Sequence, residues 1–251
     1  MASGRDGGAA GALAGRVALL TSATSVIGVA TAQALAAAGA RVALTTLPRA
    51  STQLDALAVQ IRAAGGQALP VTAVFDTRAE ARSLVRRVVD AWGRLDILVV
   101  ADGYDAAAGL PSDGASALPR LGQPHPALRG LLHAATAALA QMERQGGGDI
   151  VAVAPVAGRI LRAGIGGLAS ARIALEVAAL CDNLRRRGGP RGVRVAVVES
   201  VGVGAGEGSG TALPPPPLRP DDVAAAILFV LAQPPHMSIT ELLIRPTDER
   251  S

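Results

Sequence analysis

The sequence predicts an α/β domain, a single doubly wound parallel sheet with helices on both faces, on three observations. Short β-rich runs alternate with longer stretches whose apolar residues recur every three or four positions. Several short runs, such as DILVVA from Asp96 to Ala101, are apolar on both faces, as strands buried between two helical layers are. Several helical stretches also stop at glycine, a common way to end a helix.

In chain order, the first predicted strand is Arg16–Thr21, followed by a turn and the helix GVATAQALAAAG, which ends at Gly39. Arg41–Thr45 is the second strand, and STQLDALAVQIRAAG returns as a helix. The third strand, Ala68–Val74, leads to EARSLVRRVVDAWG, a helix opened by a capping box from Thr77 to Glu80. Ile97–Ala101 is the fourth strand. The helix ALRGLLHAATAALAQMERQ precedes the fifth, Asp149–Ala154. LASARIALEVAALCDNLRRR and DDVAAAILFVLAQ are the last helices, and Arg194–Glu199 and Glu241–Ile244 the last strands. The resulting order, βαβαβαβαβαβαβ, is that of a Rossmann-type domain. One segment departs from it. Gly202–Pro220 is too rich in glycine and proline to fold alone, and reads either as a lid or as a solvated connection.

Composition narrows the function classes. A chain of 251 residues suits one domain, with residues 1–12 as a flexible extension and 13–251 as the folded unit. All 24 basic residues are arginine, interspersed with 20 acids for a net charge of +4, and aromatics are only 2%. With so few rings to stack on bases, nucleic acid is a poor partner. A lone Cys181 excludes an internal disulfide and suits a reducing compartment. No leader pattern and no long uncharged apolar run is present, so a soluble cytoplasmic protein is expected, with no membrane partner. Three scattered histidines and one cysteine offer no metal-ligand spacing.

Several stretches carry a family resemblance. WGRLDILV at Trp92–Val99, QMERQGGGDIV at Gln141–Val151 and the tail Asp221–Thr247 resemble the short-chain dehydrogenase/reductase family over roughly Leu13–Pro246. The resemblance implies a nicotinamide-binding Rossmann fold, a T-G-x-x-x-G-x-G phosphate loop and an Asn-Ser-Tyr-Lys catalytic quartet. In the loop, Thr21 and Gly28 match, whereas Ser22 and Val26 stand at the first two glycines. A β-branched Val26 occupies space the diphosphate would need. The acid that meets adenine falls at Val74, with Asp76 two residues on, and Arg49 offers a contact to a 2′-phosphate or a solvated loop cation. In the quartet, the match puts Ala127 at the asparagine, Pro155 at the serine, Leu168 at the tyrosine and Arg172 at the lysine. Leucine has no proton to transfer, and proline has neither hydroxyl nor N–H.

Other polar groups stand where cofactor and substrate would meet. Asp102 and Tyr104 follow the fourth strand, and with Arg172 they form a candidate rebuilt site. The pattern Thr21…Val26-Ile27-Gly28, together with Ser170–Arg172, shares features with the non-redox halohydrin dehalogenases, though Val26 is not aromatic. On these departures the expected function is a non-catalytic or regulatory partner subunit, without a nicotinamide cofactor. It would belong to a homo- or hetero-oligomer, in the second case beside an intact homologue. The alternatives are a repurposed non-redox enzyme acting on a small molecule, or a residual NAD(P)-dependent oxidoreductase.

Overall fold

The computed structural model describes residues 11–101, 126–155, 165–200 and 218–247. The strands are β1 Val17–Leu20, β2 Arg41–Thr46, β3 Gln67–Thr72, β4 Ile97–Val100, β5 Gly148–Pro155, β6 Val193–Ser200 and β7 Glu241–Ile244. The helices are α1 Val26–Ala37, α2 Ser51–Ala63, α3 Arg78–Trp92, α4 Pro126–Gln145, α5 Ile165–Gly188 and α6 Pro220–Leu231, with 3-10 turns at Pro48–Ala50 and Gly189–Arg191. The sheet runs β3-β2-β1-β4-β5-β6-β7, and every neighbouring pair is parallel. Strand order reverses between β1 and β4, which makes the crevice above their C-terminal ends the ligand-binding position of this architecture.

Two apolar cores cover the two faces of the sheet. On one, Leu84, Val88, Leu139, Met142 and Val177 bring α3, α4 and α5 onto Leu19, Leu98, Ile150 and Val195. On the other, Leu35, Leu54, Ile61 and Ile227 bring α1, α2 and α6 onto Leu20, Val42, Val99 and Val198. Because residues alternate across a strand, β1 sends Leu19 into the first core and Leu20 into the second. This is why its burial is continuous rather than alternating.

The predicted strands are all present, with shifted ends. β3 stops at Thr72 instead of Val74, because its only neighbour ends where Thr46 pairs with Thr72. Val74 therefore lies past the sheet, 37% exposed. The capping box is formed as expected: the Glu80 amide donates to Thr77 Oγ1 at 3.3 Å and the Thr77 amide to Glu80 Oε2 at 2.9 Å. Thr77 is thus the cap and Asp76 an exposed residue before it. Gly93 closes α3 in the left-handed region at φ 80°, which a side chain rarely tolerates.

The N-terminal edge of the sheet is fastened by charge. Asp149 at the start of β5 takes a contact from Arg16 and another from Arg194 Nε at 2.6 Å. Asp96 accepts from the Val17 amide at 2.9 Å and pairs with Arg94 at 2.7 Å. These pairs hold β1, β4, β5 and β6 in register at the end of the sheet away from the crevice. Among the described residues, no helix is long and apolar enough to cross a membrane.

Candidate functional site

The crevice begins with Thr21, the residue just past the end of β1. Its amide donates to the Val99 carbonyl at 3.0 Å, and its Oγ1 accepts from the Ala101 amide at 3.2 Å. One buried side chain therefore joins the ends of β1 and β4 at the point where strand order reverses. Next, Ser22 takes φ 47°, in the left-handed region where glycine is the usual occupant. The chain can then turn sharply. The Ala23 amide donates to the Thr45 carbonyl at 3.0 Å, and the Ser25 amide to the Ser22 carbonyl at 2.9 Å.

Ser25 caps α1, its hydroxyl accepting from the Gly28 amide at 3.0 Å. Gly28 faces this turn so closely that an added Cβ would fall inside the Ser22 carbonyl oxygen and lie 2.9 Å from two Ala23 backbone carbons. Glycine is therefore required here to pack helix against turn. Val26, the first residue of the helix, is 51% exposed. The amides of Val26 and Ile27 donate to no group among the described residues. Two open N–H groups at the positive end of a helix are the donor set that a phosphate uses.

Hydroxyl groups continue the site toward β2. Thr24 Oγ1 and Thr46 Oγ1 are 2.8 Å apart, and the Thr45 hydroxyl is fully buried without a hydrogen-bond partner among the described residues. Thr24, Thr45 and Thr46 were not picked out from the sequence. The signal available for them was the clustering of hydroxyls in TSATS after β1 and TT at the end of β2. Arg49 sits in the 3-10 turn just beyond β2, exposed, and no acid stands at the end of that strand.

The structure brings together Thr21, Ser22, Val26 and Gly28. Asp102 and Tyr104 lie outside the described residues, as does most of the 202–220 segment. Ala127 lies in α4, Pro155 at the end of β5, and Leu168 and Arg172 in α5; their side chains are outside the description. Cys181, also on α5, is fully buried, and burial pushes its thiol up to about 12. A thiol so held stays protonated and is a packing residue, not a nucleophile. Among the described residues, no cluster of three or more His, Cys, Asp or Glu could hold a metal ion.

Comparison with known proteins accords with this geometry. Residues 16–207 match the family described as short chain dehydrogenase. The chain belongs to that family. An uncharacterized oxidoreductase of Mycobacterium tuberculosis is 31% identical over 238 residues, covering 90% of this chain and 88% of that protein. Glycine betaine reductase ATRR of Emericella nidulans is 30% identical over 250 residues, 95% of this chain, although the chain spans only 19% of that protein. Among solved structures, a metagenomic short-chain oxidoreductase in complex with NADP is 27% identical, with a TM-score of 0.67 over 95% of this chain and 100% of that one.

These findings correct the functional expectation drawn from the sequence. The expectation of a non-catalytic or regulatory partner subunit is overturned: the relatives that this chain matches along most of its length are oxidoreductases. The expectation that it holds no nicotinamide cofactor likewise finds no support, since a solved neighbour carries NADP on the same fold. The turn that glycine normally permits is made here by Ser22 in the same left-handed region.

Proposed function

We propose that this chain is an NADP(H)-dependent oxidoreductase that exchanges a hydride with a small carbonyl or alcohol substrate. The observation that carries the reading is the β1–α1 turn. Ser22 adopts the backbone form of the replaced glycine, Gly28 packs against it, and the Val26 and Ile27 amides stay open. Val26, half-exposed at the start of the helix, leaves that donor pair unblocked by hydrogen bonds of its own. The residues present therefore fit a dinucleotide diphosphate. Arg49, with no acid at the end of β2, favours a 2′-phosphate over a free 2′-hydroxyl.

When bound, the reduced nicotinamide supplies hydride to a carbonyl carbon. The chain must then deliver a proton to the carbonyl oxygen, and Leu168 at the family's tyrosine position cannot. We assign that role to Tyr104, four residues beyond the end of β4. Its phenolic O–H breaks as the substrate O–H forms, and the phenolate is reprotonated from solvent. Arg172, at the family's lysine position and charged at any working pH, is the cation we assign to stabilise that phenolate. Asp102 is the carboxylate we assign to orient that guanidinium.

The test is reduction of a panel of small ketones and aldehydes by the purified chain, followed by loss of nicotinamide absorbance. Turnover with stoichiometric NADPH oxidation is expected, and Tyr104→Phe should lower kcat by about 10²-fold. Unchanged kinetics in Tyr104→Phe and Arg172→Met would remove these two residues from the mechanism. Turnover of a halohydrin or an elimination substrate without nicotinamide would replace the redox reading by a non-redox one.

A further inference from the structure

The strands around the crevice do not end level. Register carries Leu20 of β1 to Val99, Val99 to Val151 and Val151 to Ala196. β1 stops at Leu20, whereas β5 and β6 run on together to the paired residues Pro155 and Ser200. Ser200 thus stands four residues above the level of Leu20, about 13 Å at the usual rise of a strand. With β7 paired alongside as far as Ile244, these strands form a wall on one side of the crevice.

Ser200 is the last residue of β6 and is 1% exposed. Side chains alternate along a strand, so it shares the face of Ala196 and Val198, the face that α1 covers. Its hydroxyl has no hydrogen-bond partner among the described residues. A buried hydroxyl left unpaired costs stability, which a ligand that pairs with it restores. The hydroxyls of Thr31 and Thr45 are buried and unpaired in the same way, but Thr31 lies inside α1 and Thr45 lies in β2. Ser200 is the one of these three at the rim of the wall.

The start of α1, where the diphosphate fits, divides a dinucleotide into two halves. Arg49 and the end of β2 lie to one side of it, so the half with the 2′-phosphate runs that way. The nicotinamide half then runs over β4 toward β5 and β6. From β1 to β6 is three strand spacings, about 14 Å. What approaches Ser200 is therefore the far end of that half, which carries the carboxamide. A carboxamide presents a C=O and an NH2, and a serine hydroxyl both donates and accepts.

We propose that Ser200 is a cofactor-positioning residue whose hydroxyl bonds the nicotinamide carboxamide, an assignment that rests on the nicotinamide reading above. Calorimetric titration of the full-length protein and of Ser200→Ala tests it, with two ligands: NADPH and 2′-phospho-ADP-ribose, which has no nicotinamide. Ser200→Ala should weaken NADPH by about fivefold, the scale of one neutral hydrogen bond, and leave 2′-phospho-ADP-ribose unchanged. Without ligand its Tm should rise, because an unpaired buried hydroxyl is removed. Equal losses for the two ligands, or no loss for either, would overturn the assignment and leave the nicotinamide reading standing. A fall in Tm of the free variant would overturn it too, since the hydroxyl would then be bonded within the fold. Failure of the unsubstituted protein to bind NADPH would overturn both.

Discussion

The Ser22 carbonyl and the Cα of Gly28 stand so close that no side chain fits at residue 28. Helix α1 is thereby seated against the end of β1, with its first amides at the mouth of the crevice. Gly28→Ala forces the turn and the helix apart. Overpacking of this kind costs about 1–3 kcal/mol, and urea unfolding should show that loss. NADPH affinity should fall with it, because the Val26 and Ile27 amides move with the helix.

The two departures from the glycine loop act in separable ways. Ser22 holds a left-handed conformation that costs a residue with a Cβ about 1 kcal/mol, so Ser22→Gly should raise stability by about that amount. Val26→Gly changes space rather than backbone form. It should tighten NADPH binding while slightly destabilising the first turn of α1. If calorimetry shows Val26→Gly leaving NADPH affinity untouched, the diphosphate does not approach this turn.

Arg49 sets the choice of cofactor if the 2′-phosphate lies beyond β2. Charge-assisted hydrogen bonds contribute about 1.5–3 kcal/mol, so Arg49→Gln should weaken NADPH by roughly tenfold or more and leave NADH nearly unchanged. Parallel titrations of both nucleotides decide it. Equal losses for both would assign Arg49 to a part of the nucleotide that they share.

At the far end of the sheet, Asp149 pairs with two arginines, Arg16 just before β1 and Arg194 in β6, with its own side chain only 8% exposed. Asp149→Asn leaves Arg16 and Arg194 facing each other uncompensated. Breaking a buried pair costs about 3–5 kcal/mol. Because both arginines are partly exposed, the expected loss is at or below the lower figure, read as a lower urea midpoint. Cofactor affinity should not change, since the crevice is at the opposite edge.

The buried Cys181 gives a readout of global opening. With its thiol raised to about 12 by burial, it should resist iodoacetamide in the native protein and react once urea unfolds the chain. Fast labelling under native conditions would mean that α5 opens locally.

The fold was legible in the sequence because each element is locally consistent. Strands such as Ile97–Val100 are short and apolar throughout, α3 carries its capping box and terminal glycine, and each connection reads as a crossover. Strand ends were less legible, because the end of β3 depends on where its neighbour stops. The crevice was legible as a location. Thr21 and Gly28 mark the turn in the sequence, but only the backbone shows Ser22 in the left-handed region there. Nor could sequence show that Thr21 joins the ends of β1 and β4, or that Thr24 meets Thr46 across 22 residues. The convergence of Arg78, Arg82 and Arg86 with Arg144 and Arg187 arises only when α3, α4 and α5 pack on one face of the sheet.

The most direct test of the account is a fluorescence titration of the purified chain with NADPH. A saturable signal with a Kd in the micromolar range, about −8 kcal/mol, abolished by Gly28→Ala, is the predicted result. No binding up to about millimolar NADPH, by either the wild-type chain or Val26→Gly, would contradict it.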